Sequence, residues 1–293
     1  MNISYYTELS EFTDLSCFQH DINLLSDDIE KICEFVQHNL IHAYWLKRYG
    51  VQVEESAKFS EMQTRHSKDI ITLAMNKSGQ SFDVKRNPKD RVVSVCRDFA
   101  LVLCSVLRAK NIPARIRCGF ATYLVAGHFE DHWICEYWNQ QESRWVMVDA
   151  QLDSTHLAIL NFDFDPCDVP SSEFLYAGKA WALCRGDFTS PDKFGFNSFN
   201  GLPFIKGSII RDLYALSKVE LLAWDIGWGI LPEYITPIDG DGEVLLLDEL
   251  ALISNISDFE KAINVIISCN EIKFPVDWHL SNCPTIEELY SAL

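Results

Sequence analysis

None of the ten cysteines forms a CxxC pair, the N-terminus has no basic stretch leading into an apolar one, and no run approaches about eighteen apolar residues. Each absence removes a class of protein. Without CxxC spacing there is no sign of a zinc ribbon or a dithiol redox site, and no cofactor or metal is expected. The opening MNISYYTELSEFTDLS offers neither part of a signal peptide, so the expected protein is cytoplasmic, has no membrane segment and keeps its thiols reduced. Basic residues are also scarce. The 25 Lys and Arg against 42 Asp and Glu leave a net charge of −17, which disfavours a phosphate-binding surface and removes nucleic acid from the candidate substrates. Equally spaced repeats and low-complexity tracts are missing as well. What remains is a 293-residue chain, 48% hydrophobic and 12% aromatic, with ample material for a sizeable core.

The chemistry concentrates between Ser94 and Asp153. From Cys96 the apolar residues Phe99, Val102, Leu103, Val106 and Leu107 recur at three- and four-residue steps, which predicts a helix with Cys96 at its start. Arg108 and Lys110 suit the negative end of the helix dipole, and Asn111 with Pro113 supplies a stop. A helix N-terminus carries unpaired N–H groups and partial positive charge, a setting that favours thiolate over thiol. A buried core thiol at Cys96 would instead face inward along the Phe99 and Val102 stripe. For Cys104 and Cys118, on apolar faces, the reading is that of small buried hydrophobes.

Arg115 to Phe120 alternates, with Ile116, Cys118 and Phe120 on one face and the arginines on the other, the pattern of a half-buried strand. His132–Trp138 and Arg144–Ala150 read as two further strands joined by a polar turn over 139–143, hence a hairpin. A register pairing His132 with Asp149 would bring imidazole and carboxylate within reach. A thiol, a base and a group to orient the base then follow in chain order. His128 is a competing base, but it follows Gly127 in a loop, whereas His132 opens the regular strand.

These residues resemble the transglutaminase-like superfamily of papain-related thiol enzymes. The resemblance rests on Cys96-Arg97-Asp98-Phe99-Ala100, on Leu107-Arg108-Ala109-Lys110-Asn111-Ile112-Pro113-Ala114-Arg115, on His132-Trp133 and on Trp145-Val146-Met147-Val148-Asp149. Glu61-Met62-Gln63-Thr64-Arg65 and the stretch from Phe174 to Arg185 are similar to bacterial members. The resemblance implies an α+β fold: a papain- or transglutaminase-like core with the cysteine helix packed on an antiparallel sheet, plus helical additions at both ends. It implies Cys96 as nucleophile, His132 as base and Asp149 as its orienting partner. The implied activity is acyl transfer or amide hydrolysis through a thioester. The partner is then a peptide, protein or small amide, with an amine or water as acyl acceptor; the residues leave the acceptor open. The alternative is a binding or scaffolding protein that keeps the fold without turnover. Ser94 stands where the family often has glycine, and Trp133 follows His132 directly instead of one residue later. No tryptophan lies between Trp45 and Cys96, so the indole donor that helps hold the oxyanion in animal transglutaminases has no counterpart just upstream. The Cys96 backbone N–H is one expected donor.

The expected organisation is an N-terminal helical segment (1–60), a catalytic core (61–155) and a mainly helical C-terminal extension (156–293). The patterning predicts a helix from Ser26 toward Arg48, another over Ser60–Met75, and helices over Ser171–Leu183, Ser208–Trp224, Glu243–Ile253 and Ser257–Ile267. His38 and His42 stand four apart, but Asn39 replaces the glutamate of HExxH, so they read as ordinary helix histidines. Asp239-Gly240-Asp241-Gly242-Glu243 has Val244 where a calcium loop needs glycine, and reads as a turn before a helix.

Overall fold

A computed structural model describes residues 3–225 and 237–273. In chain order the elements are α1 (Gln19–Leu24), α2 (Ile29–Asn39), β1 (Leu40–His42), α3 (Glu55–Met62), α4 (Ser67–Ser78), β2 (Val92–Ser94), α5 (Cys96–Ala109), β3 (Ala114–Ala121), β4 (Phe129–Asn139) and β5 (Arg144–Val148). There follow α6 (Ser154–Ile159), β6 (Phe174–Tyr176), α7 (Ala177–Arg185), β7 (Phe194–Phe196), β8 (Phe199–Asn200), α8 (Leu202–Leu216), α9 (Gly240–Ile256) and α10 (Phe259–Ser268). The fold class is α+β. One sheet has the order β6-β3-β4-β7-β8 with β5 also on β4, and β1 and β2 make a separate parallel pair. Most pairings in the larger sheet are antiparallel, but β4 and β7 run parallel.

The chain divides into two compact units. One holds the described residues up to Ile116 together with Trp133–Pro170; the other holds Arg117–His132 and the described residues from Ser171 onward. Of the three boundaries, 116/117 and 132/133 fall inside strands, β3 and β4 respectively, and 170/171 falls in the connection before β6.

In the first unit α5 is the buried element against which α1, α2 and α4 pack. Every one of its residues is buried, Arg97 and Arg108 included. The expected one-sided stripe is thus too modest, because neighbours cover the polar side as well. Arg108 does not act as a surface cation: its guanidinium donates to the Ala114 carbonyl (2.8 Å) and to Thr13 Oγ1 (3.2 Å). The expected stop is real. Asn111 takes a left-handed φ of 60°, and the Ile112 N–H returns to the Leu107 carbonyl at 2.9 Å.

The helix expected from Ser26 to Arg48 is cut short. Asp28, not Ser26, caps α2, its Oδ1 accepting from the Glu30 N–H at 2.9 Å. The helix ends at Asn39, and Leu40 and Ile41 leave it to pair with Val92 and Val93. Tertiary pairing overrides the helical periodicity there, so His38 and His42 do not share a helix face. The single helix expected over Ser60–Met75 is two, α3 and α4, broken where the Ser67 N–H donates to the Phe12 carbonyl at 2.9 Å.

The hairpin is present with a different register. Asn139 pairs with Arg144 and Cys135 with Val148, where the ladder ends. Asn139 Oδ1 shapes the turn by accepting from the Gln141 and Glu142 N–H groups at 3.0 and 3.2 Å. Continued, this register sets Asp149 opposite Ile134, two residues from the expected pairing with His132. An even shift leaves each side chain on its expected face.

β3 is buried at all eight positions rather than half-buried. Its arginines are neutralised within their own units: Arg115 Nε meets Glu136 Oε2 at 2.6 Å in the first, and Arg117 meets Asp212 at 2.8 Å in the second. The second unit gathers α7 to α10 around α8, which is buried from Phe204 to Leu216. Gly178 lets α7 approach α9, since a Cβ there would stand 2.2 Å from the Ala251 carbonyl. The helices expected beyond Ser171 correspond to α7–α10, with starts and ends shifted by up to six residues at most boundaries and by eight at the end of α8. Asp239 is the N-cap residue of α9 and Gly240, Asp241, Gly242 and Glu243 form its first turn, so the expected turn ahead of the helix is the start of the helix itself.

Candidate active site

Cys96 is the first residue of α5 and 9% exposed. The preceding Val95 has an extended backbone, and the buried Asp98 carboxylate accepts the Val95 N–H at 2.9 Å. Asp98 thereby ties the first turn to the chain that enters it. Burial pushes the Asp98 carboxyl up, opposed by the Arg97 guanidinium 3.1 Å away and by the Val95 N–H. As the first helical residue, Cys96 has an N–H without an intrahelical acceptor.

The approach to Cys96 is held from two sides. β1 runs beside β2, with His42 level with Ser94 and the Ala43 N–H donating to the Ser94 carbonyl at 2.8 Å. From the other side Glu61 Oε2 accepts the Val93 N–H at 2.6 Å, and Lys77 bridges Glu61 (2.7 Å) and the Arg91 carbonyl (2.7 Å). His42 packs its ring against Phe99 of α5 (6.3 Å) and against Tyr44 (5.7 Å).

Asp149 follows β5 in the same unit and is buried. Its N–H donates to the Pro166 carbonyl at 2.9 Å, and its Oδ1 accepts the Gln151 N–H at 3.0 Å. Gln37 of α2 fastens the next residues through the Ala150 and Leu152 carbonyls at 3.2 and 3.4 Å. Asp149 also borders a cavity of about 860 Å³ with Cys33, His38, Arg91 and Cys167 among its walls.

His132 is the last residue of the second unit's share of β4 and is 1% exposed. Within that unit Tyr123 and Phe174 meet its ring edge-on, at 6.0 and 6.4 Å between centroids. Cys96 and Asp149 therefore share one unit, and His132 belongs to the other. The competitor His128 is half-buried, its Nε2 lying 3.3 Å from the Gly195 carbonyl and 3.5 Å from Glu130 Oε2.

Two features of these surroundings escaped sequence reading. The first is Glu130, two residues before His132 on β4. Burial pushes its carboxyl up to about 7, with the Asp131 charge adding and His132 opposing. Its folded value lies above the ordinary 4.5, so the fold holds a proton that the unfolded chain has lost between those values. Stability then falls as pH rises from about 4.5 to 7. Glu130→Gln is expected to flatten that fall, by an amount on the order of 1–3 kcal/mol in unfolding free energy between pH 5 and 8. Parallel wild-type and variant curves in urea melts at the two pH values would exclude this role. The second feature is a trio around the buried His156 in the first unit. His156 Nδ1 lies 2.9 Å from Asp153 Oδ1, the Tyr49 hydroxyl donates to Asp153 Oδ2 at 2.7 Å, and Trp45 covers the imidazole at 4.0 Å. Burial pushes the Asp153 carboxyl up, but the bonds from His156 and Tyr49 outweigh it and leave it below its usual range. The only local signal was Asp153 three residues before His156, where it also caps α6.

Residues 54–150 match the transglutaminase-like superfamily. That stretch contains Cys96 and Asp149. Among solved structures the chain is similar to a candidate cysteine protease from Cytophaga hutchinsonii, at 16% identity and a TM-score of 0.32 over 59% of this chain and 61% of that one. It is also similar to red sea bream transglutaminase, at 20% identity and a TM-score of 0.32 over 58% of this chain and 29% of that one. The chain thus spans less than two thirds of either protein. No curated protein matches it. Among the described residues no helix is long and apolar enough to cross a membrane.

Proposed function

We propose that the protein is a thiol-dependent enzyme that attacks a carboxamide or related acyl group, with Cys96 as nucleophile, His132 as general acid and base, and Asp149 as the residue that orients His132. The observation that carries this reading is the place of Cys96, at the first residue of a buried helix inside the stretch that matches the superfamily. In this reading the Cys96 sulfur adds to the acyl carbon and the carbonyl electrons move to oxygen. Collapse of the adduct expels the amine, which takes its proton from His132, and leaves a thioester. An amine or water then attacks the thioester, His132 accepts its proton, and the sulfur is released. Asp149 holds the imidazole tautomer and stabilises its cation. The substrate is a peptide, protein or small amide.

Incubation with dansylcadaverine and a mixture of glutamine- and asparagine-containing peptides, read by mass spectrometry with wild type and Cys96→Ala, tests the proposal. The expected result is a Cys96-dependent change. A gain of the amine less ammonia marks transfer, and conversion of carboxamide to acid marks hydrolysis. Identical spectra for both proteins over a broad peptide mixture would favour the scaffolding reading.

A further inference from the structure

Asp149 is supported from two directions, and each support carries a cysteine. On one side α2 brings Gln37 to the Ala150 and Leu152 carbonyls at 3.2 and 3.4 Å, and Cys33 stands one turn earlier on the same helix face, about 6 Å away along the axis. On the other side the chain beyond α6 returns beside β5. The Asp149 N–H donates to the Pro166 carbonyl at 2.9 Å and the Val169 N–H to the Met147 carbonyl at 2.8 Å. Residues 166–169 thus run antiparallel to 147–149, with Cys167 and Asp168 level with Val148 between the two bonds. Cys33 and Cys167 both line the cavity of about 860 Å³ that Asp149 borders. All of these residues belong to the first unit.

The two thiols differ in ways that assign them roles. Cys167 is half-buried and meets the cavity, whereas Cys33 is 4% exposed. The Cys33 thiol is pushed well above its ordinary range, first by the Cys167 sulfur beside it, then by burial, with the Asp149 and Asp165 charges adding. Cys33 therefore keeps its proton, and Cys167 is the sulfur open to an oxidant. The cavity walls carry six carboxyl side chains against the permanent cations Lys85 and Arg91, a balance that turns away anionic oxidants such as glutathione disulfide and admits small neutral ones. Cys104 and Cys135, by contrast, are fully buried.

We propose that Cys33 and Cys167 form a dithiol site that takes a hydroperoxide as its oxidant and closes to a disulfide, and that closure weakens the hold on Asp149. The Cys167 sulfur attacks one peroxide oxygen, the O–O bond breaks, and hydroxide leaves with the Cys167 proton as water. The Cys33 sulfur then attacks the Cys167 sulfenic sulfur. The S–S bond forms, the S–O bond breaks, and the hydroxyl departs with the Cys33 proton as a second water. Two thiols thereby give two electrons to one peroxide. Bonded sulfurs are about 2.05 Å apart, closer than any unbonded pair, so closure draws the residue after Pro166 toward α2 and shifts the carbonyl that holds the Asp149 N–H. The consequence for turnover rests on the reading of Asp149 as the residue that orients His132; the dithiol chemistry does not.

The test exposes the full chain to stoichiometric hydrogen peroxide, blocks the remaining thiols with iodoacetamide and maps a non-reduced digest by mass spectrometry, for wild type, Cys33→Ala and Cys167→Ser. Cys167→Ser, at the half-buried position, keeps the test open should Cys33→Ala fail to fold. The expected result is a linked Cys33–Cys167 peptide in wild type that dithiothreitol removes, with Cys104 and Cys135 still free thiols. Turnover is measured on any amide that wild type converts, normalised to the fraction of Cys96 still open to iodoacetamide. There kcat falls by roughly 10–100-fold on oxidation of wild type and returns on reduction, while Cys167→Ser treated in the same way stays within about twofold of its untreated rate. Absence of the link, its appearance only in urea-unfolded protein, or a different cysteine pair in its place overturns the dithiol site. A link with unchanged normalised kcat, or an equal loss in Cys167→Ser, overturns its hold on Asp149. A reversible link in a protein that converts no amide in either redox state supports the dithiol site and counts against the amide-directed reading instead.

Discussion

Cys96→Ala is expected to remove turnover entirely, a loss on the order of 10⁴–10⁶ in kcat, because no neighbouring group can carry the covalent intermediate. His132→Ala should fall to nearly the same level, since nucleophile and base act as one unit and their losses do not add. Asp149→Asn should retain a small activity, roughly 10²–10⁴ below wild type, because the imidazole is still present while its tautomer is no longer held. His128→Ala should stay close to wild type, its Nε2 being engaged with the Gly195 carbonyl and Glu130. The ranking is what decides. Single-turnover rates in which His128→Ala is more damaging than His132→Ala would transfer the base role to His128. A fully active Cys96→Ala would end the thiol-enzyme reading, whatever the other variants do.

The largest effect on stability is expected at Asp212 in the second unit. Its carboxylate is fully buried and accepts from Arg117 Nε and Nη2 at 2.9 and 2.8 Å, from the Cys118 N–H at 3.0 Å and from Ser254 Oγ at 2.6 Å. The Arg117 guanidinium also donates to Ser257 Oγ and the Ser254 carbonyl, at 2.7 and 2.8 Å, and lies 3.7 Å over the Tyr176 ring. Asp212→Ala strands this cation in the core, with an expected loss of roughly 3–5 kcal/mol, seen as a lower urea midpoint for the second unit. Replacing both partners, Arg117→Met with Asp212→Leu, should recover much of that loss, because neither charge is then buried alone. A single-variant loss under about 1 kcal/mol would show that water reaches the site and relieves the unpaired charge.

The same pair shows where sequence reading stops. Arg117 and Asp212 are 95 positions apart, and nothing around either residue announces the other. The alternation of Arg115, Arg117 and their apolar neighbours implied a strand with one wet face. That inference holds only for a strand whose second face is left uncovered, and β3 is buried on both. Burial of an arginine depends on a carboxylate arriving from elsewhere in the chain, and periodicity carries no information about that.

By itself the sequence determined what local forces decide: the start of α5 at Cys96, its stop at Asn111, the β4–β5 hairpin with its polar turn and the helices that follow Ser171. Each depends on caps, turn residues and apolar spacing within a few positions, and those interactions act over the same short range. Tertiary structure alone decided that α2 breaks at Asn39 and that Leu40–His42 joins Val92–Ser94 as a strand. It also decided the two-residue difference in hairpin register and the enclosure of Arg115 and Arg117. Leu40 and Ile41 continue a helical pattern as readily as they fill a strand, so the choice fell to the partner strand, whose backbone groups and valine side chains reward the extended form once the chain has folded around α5.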